Sequence, residues 1–105
     1  MRSQLTLMQY ELSARAETDI QDIIRYTFEN FGRRQVDRYI DGLFNTFDIV
    51  IDNPRMGSDV IGVNARRYVY RSHYVFYQVR DDVIRIAHIR HVMMGPPSLV
   101  DVLSE

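Results

Sequence analysis

From Arg66 to Met94 the chain is built from residues that favour a pleated sheet. The stretch reads Arg-Arg-Tyr-Val-Tyr-Arg-Ser-His-Tyr-Val-Phe-Tyr-Gln-Val-Arg, then Asp-Asp, then Val-Ile-Arg-Ile-Ala-His-Ile-Arg-His-Val-Met-Met. Tyr, Val, Phe and Ile pack well on a half-buried strand surface. Asp81-Asp82 separates two such runs as a short hairpin turn does. Arg71-Ser72 makes an earlier polar break. Together these signals predict a meander of at least three antiparallel strands. Its polar members are almost all Arg and His, so a solvent face of this sheet is cationic.

What precedes the meander is helical. Gln4 to Leu12 predicts a first strand, with Leu5 and Leu7 in one phase, Tyr10 and Leu12 in the other, and an irregularity near Met8-Gln9. Ser13 is a good N-cap, and Glu17 and Asp19 stand in the opening turns, where carboxylates are favoured. Ala16, Ile20, Ile23, Ile24, Thr27 and Phe31 then recur in steps that mark one face of a helix over 14–31. Gly32 fits a C′ stop. Val36, Ile40, Leu43, Phe47, Val50 and Ile51 mark a second helix over 34–52. Gly42 interrupts it at a propensity cost of about 1 kcal/mol, which reads as close packing of the two helices there. So short a link implies an antiparallel helical hairpin.

Asn53-Pro54 ends the second helix, because a residue before proline leaves the α region. Arg55 to Asn64 reads as a loop with one short extended piece at Val60–Val63. Gly95-Pro96-Pro97 stops the last strand, and Ser98 to Glu105 is a short acidic tail, weakly helical at best. Strand, two helices and three strands define an α+β design, with the helical hairpin on one face of a mostly antiparallel sheet. The other face is expected to stay uncovered, lined by Arg and His.

Length and composition set limits. A chain of 105 residues is read as one domain, residues 1–105. It has no Cys, so no disulfide, thiolate ligand or thiol nucleophile, which fits a reducing cytoplasm. No apolar run approaches the roughly 20 residues of a membrane span, and the first residues lack the apolar segment of a secretory signal. All 13 basic side chains are Arg, so lysine chemistry is excluded. Charge is uneven: six Arg face nine acids over 1–54, for −3, and seven face three over 55–97, for +4. Such a basic half can meet an acidic protein segment or a phosphate backbone.

Few residues offer chemistry. His88 and His91 are three apart in a strand and face opposite ways unless a bulge intervenes, so they are no metal pair and no cofactor is expected. His73 reads as a turn histidine bonded to nearby backbone. Arg66, Arg67, Arg71, Arg85 and Arg90 are either a solvated alternation or a docking surface for an acidic chain or RNA. Tyr68, Tyr70, Tyr74 and Tyr77 interleave with them and could stack on bases, though tyrosines at strand spacing usually serve a core. His91 is the best single acid–base candidate, but Val92, Met93 and Met94 bring it no proton donor. There is no Gly-rich phosphate loop, no Gly-x-Ser-x-Gly and no paired-carboxylate spacing. The residues by themselves argue against an enzyme.

Several pieces in this order resemble one family. They are Tyr10-Glu11-Leu12-Ser13 with Ala16 and Asp19-Ile20, the loop Asn53-Pro54-Arg55-Met56-Gly57, the strand Arg71 to Tyr77, and Ile84-Arg85-Ile86 running to Ile89-Arg90-His91. The chain resembles toxins of the RelE/ParE superfamily of type II toxin–antitoxin systems, and looks most like the ParE branch. The resemblance implies a poison of DNA gyrase that acts by binding, with no catalytic residue. It also implies a ParD-like antitoxin whose acidic, amphipathic segment wraps the toxin, and contact with operator DNA only through that antitoxin. The RelE branch instead cuts messenger RNA on the ribosome, and a third alternative is a non-toxic binding module on the same fold. Without lysine, and with Val92 following His91, only Arg71, Arg90 and His91 could stand in for part of that site.

Overall fold

A computed structural model describes residues 9–95, 97 and 102. Strand β1 (Gln9–Leu12) leads into helix α1 (Ala14–Phe31), and helix α2 (Arg33–Asp52) follows after a single residue. Then come β2 (Ser58–Asp59), β3 (Arg66–Tyr70), β4 (His73–Arg80), β5 (Val83–His91) and a 3₁₀ turn at Val92–Met94. The α+β design and the helical hairpin stand as expected. Residues 4–8 of the expected first strand lie outside the described residues, as does all of the tail from Ser98 except Val102.

The sheet order is β1-β5-β4-β3-β2. The meander is antiparallel, but β1 lies parallel to β5, with Gln9 opposite Val83 and Leu12 opposite Ile86. The long helical connection makes a parallel return possible, which a two-residue turn cannot do. The extended piece expected at Val60–Val63 is instead a two-residue strand just before it, pairing Ser58 with Arg67 and Asp59 with Arg66.

Ser13 builds the corner between β1 and α1. Its hydroxyl accepts from Ala16 N at 2.9 Å and donates to Ala87 O at 2.7 Å. The residue that caps the helix therefore also anchors it to β5. Gly32, at φ +86°, makes the one-residue link between the helices, a conformation that costs glycine little.

The core lies between hairpin and sheet. Ala16, Ile20 and Ile23 of α1 and Leu43, Phe47 and Val50 of α2 meet Val75, Tyr77, Ile84, Ile86 and Ile89. Fully burying each large apolar side chain contributes about 1.5–3 kcal/mol. Ile24 and Phe31 depart from the expected stripe and remain exposed. Tyr77 is core, yet its hydroxyl donates to Pro54 O at 2.7 Å and accepts from Gly57 N at 3.0 Å. Gly57 must be glycine-sized, because a Cβ there would sit 2.7 Å from that hydroxyl and 2.9 Å from Arg67 O.

Gly42 packs against the sheet rather than against α1. A Cβ there would fall 2.8 Å from Cζ of Tyr70 and closer still to its hydroxyl. That hydroxyl donates to Tyr39 O at 2.9 Å. The expected helix-to-helix contact at this glycine is thus replaced by a helix-to-sheet contact.

The second sheet face is also not bare. Phe76 and Ala87 are buried with Ala65 and Val102, flanked by Val60, Val63 and Tyr74. The expectation of an open Arg- and His-lined face is overturned here, because the loop after β2 and Val102 supply apolar cover.

Candidate functional site

The side chains able to move or donate protons gather at one end of the sheet, where β4 begins and β5 ends. His73 lies opposite His91 in the β4–β5 register, and opposite Tyr70 in β3. The two imidazoles meet edge to face, with ring centres 5.2 Å apart. Tyr39 of α2 reaches over them, its hydroxyl 2.6 Å from His73 Nδ1. These groups line a cleft of about 710 Å³ that runs under the hairpin and also takes in Ile23, Tyr26, Phe31 and Arg90.

Hydrogen bonds set the proton positions. Tyr39 Oη accepts from Ser72 N at 3.3 Å and shares a hydrogen with His73 Nδ1. His91 Nδ1 accepts from Met93 N at 3.1 Å, which caps the 3₁₀ turn. A neutral His91 ring therefore carries its hydrogen on Nε2. Burial pushes the His73 pKa down to about 4; neighbouring His91 adds to this and the Asp19 charge opposes it. The turn histidine expected to bond backbone instead bonds the Tyr39 hydroxyl, which no local spacing announces.

A pH dependence follows. The folded protein holds His73 neutral where the unfolded chain, at 6.5, takes up a proton. Stability from this group is complete above pH 6.5 and is lost as pH falls toward 4. Urea unfolding of wild type and His73→Phe at pH 7, 6, 5 and 4 should show the wild type losing more across that window. Parallel curves would contradict the assignment.

A second pair lies beside the cleft. Asp19 of α1 is buried and takes His88 Nδ1 at 2.6 Å, Ile89 N at 2.9 Å and Arg15 Nε at 3.1 Å. His88 is fully buried, stacks on Phe76, and its Nε2 has no partner among the described atoms. His88 and His91 do face opposite ways, as their spacing implies. No group of three metal-ligating side chains occurs among the described residues.

The five arginines do not share one surface. Arg66 lies opposite core Tyr77 and ties the 55–59 loop through Arg55 O, Gly57 O and Asp59. Arg85 is only 2% exposed and is bonded to Gln78 Oε1 at 2.9 Å, so it cannot greet a partner. Arg90 turns back on Gly95 O and Met94 O. Arg67 lies over the Tyr74 ring, 4.5 Å from its centre, and Arg71 lies 5.8 Å from that of Tyr70. Strand alternation and local carbonyls divide a set that looked uniform in the sequence.

Two helices packed on this five-stranded sheet define the class, a toxin-type α+β fold. A solved structure titled "Chromosomal ParDE TA system from P. aeruginosa" shares the fold, with a TM-score of 0.73 at 14% identity over 82% of this chain and 97% of that one. The family described as "ParE toxin of type II toxin-antitoxin system, parDE" matches residues 10–96, and the chain belongs to it. It is 36% identical over 83 residues to "Toxin ParE1" of Caulobacter vibrioides, covering 75% of this chain and 86% of that protein. It is 32% identical over 87 residues to "Toxin ParE1" of Mycobacterium tuberculosis, covering 77% and 89%. Among the described residues, no helix is long and apolar enough to cross a membrane.

Proposed function

We propose that this chain is a single cytoplasmic toxin domain that inhibits DNA gyrase by docking and is neutralised by a ParD-like antitoxin. The observation that carries docking over chemistry is the state of the would-be nuclease residues. Arg90 spends its guanidinium on the Met94 and Gly95 carbonyls. Arg71 sits at the turn, over Tyr70. Of the two guanidinium groups that could serve RNA cleavage, one is thus tied to backbone carbonyls, which leaves the would-be site short of a cation.

The antitoxin reading draws on the helical hairpin. Ile24, Phe28 and Phe31 recur at helical spacing on the outer side of α1 and are exposed, as is Tyr26. An amphipathic segment can lay its apolar side on such a row. Arg67 and Arg71 are the two arginines of the expected set best placed for its acidic side, and they speed association more than they hold the complex.

Ribosome-dependent messenger RNA cleavage is the second reading. The meeting of His73, His91 and Tyr39 favours it, since these groups can pass protons. Expression with parallel gyrase and translation assays separates the two. Gyrase-dependent DNA breaks with intact messenger RNA are expected. Ribosome-bound transcripts cut by wild type and spared by His91→Ala would overturn the docking reading.

A further inference from the structure

The end of the cleft is a pair of hydrogen-bond donors with no acceptor. Met93 N–H holds the hydrogen of a neutral His91 on Nε2, and a proton given by Tyr39 to Nδ1 does the same for His73. His91 cannot turn a lone pair outward without breaking its bond from Met93 N. Both rings line the cleft, side by side, so they offer two N–H groups to one site. An oxyanion is the natural complement of paired donors.

The surroundings choose between oxyanions. Two arginines line the cleft, but Arg15 is bound to Asp19 and Arg90 to the Met94 and Gly95 carbonyls. Asp19 and Asp22 stand on the α1 wall. A doubly charged phosphate would face two carboxylates with neutral donors to hold it. A carboxylate carries one charge and spreads it over two oxygens, which two N–H groups can share. The same cleft continues into the exposed rings of Tyr26 and Phe31, which meet edge to face at 6.5 Å. The fitting ligand is therefore both apolar and acidic.

We propose that Tyr39 donates to His73 Nδ1, so that His73 and His91 together receive one carboxylate of an amphipathic antitoxin segment whose apolar side chains rest on Tyr26 and Phe31. This rests on the antitoxin reading above and assigns it a site and a ligand group. Sequence could not offer it, because the donors depend on Tyr39 from α2 and on the backbone of the 3₁₀ turn.

The test titrates the chain with its cognate ParD-like antitoxin. Variants are His91→Phe, the His73→Phe and His91→Phe double substitution, and His91→Gln, which keeps an N–H at similar reach. Charge-assisted hydrogen bonds of this kind support losses of about tenfold or more in affinity. The expected result is that loss in His91→Phe, a larger one in the double variant, and partial recovery in His91→Gln. Imidazole nitrogen signals of the unsubstituted protein give a readout free of folding effects. The Nε2 signals of His73 and His91 should move when wild-type antitoxin binds. They should not move when its acidic residues near the contact are changed to amides. Wild-type affinity in the double variant overturns the carboxylate site and leaves the antitoxin reading standing. No binding to the unsubstituted protein overturns both. Inorganic phosphate that displaces the antitoxin while shifting the same signals would assign the site to phosphate.

Discussion

Replacing Asp19 with alanine should destabilise the fold by about 3–5 kcal/mol, the usual result of removing one partner of a buried charged network. Urea unfolding measures it as a lower midpoint at unchanged slope. The reason lies in where β1 stops. Its pairing with β5 ends at Leu12 and Ile86, so the edge of β5 beyond that point has no strand beside it. An unpaired buried N–H there would be costly. Helix α1 covers the edge, Ser13 taking Ala87 O and Asp19 taking Ile89 N. The same carboxylate holds Nδ1 of His88, whose Nε2 has no partner among the described residues. Alanine would leave both ring nitrogens and one backbone N–H buried without partners. Asp19→Asn keeps the shape and loses less, about 1–3 kcal/mol. Adding His88→Phe to Asp19→Ala should recover part of the loss, because a phenyl ring can stack on Phe76 and needs no acceptor. A double variant as weak as the sum of the single ones would show that the two residues do not act together.

This network was legible in part. Asp19 sits among Ala16, Ile20 and Ile23, so helical spacing puts a carboxylate on the apolar face, and a buried acid demands a partner. Read only as an opening-turn carboxylate, Asp19 was not marked as a site, and nothing local names His88, 69 residues away. The irregularity in β5 was also written in the chain. Ile84, Ile86 and Ile89 all reach the core, a spacing of two and then three, and the register slips between Phe76 and Tyr77. The strands, the helices and the hairpin follow from local periodicity and were readable. The faces of the arginines were not. Arg66 and Arg67 are neighbours that alternate to opposite sides, and Arg85 is buried by contacts with Gln78 and with Val102, far along the chain. The His73–His91–Tyr39 group was half visible. Arg71-Ser72 marked the turn that puts His73 near the end of β5, but nothing local announced a tyrosine arriving from α2.

Gly42→Ala should also destabilise, and here two effects oppose each other. In an exposed helix interior the change would stabilise by about 1 kcal/mol, through the better propensity of alanine. At this position the new methyl meets the ring of Tyr70, with Cζ at 2.8 Å and the hydroxyl nearer. Tyr70 cannot swing clear cheaply. It would lose its bond to Tyr39 O and its edge-to-face contact with the Tyr39 ring, at 5.0 Å between centres. Overpacking of this kind costs about 1–3 kcal/mol, enough to outweigh the propensity gain. Tyr70→Phe in the same chain removes the nearest atom and should restore part of the stability. The displacement should also be felt at the cleft, since Tyr39 carries the hydroxyl that holds His73. A shifted Tyr39 lets water reach that imidazole, and its pKa climbs from about 4 toward 6.5, which proton titration by NMR can follow. If alanine at position 42 raises stability and leaves the His73 titration where it was, the ring of Tyr70 is not what keeps this position glycine.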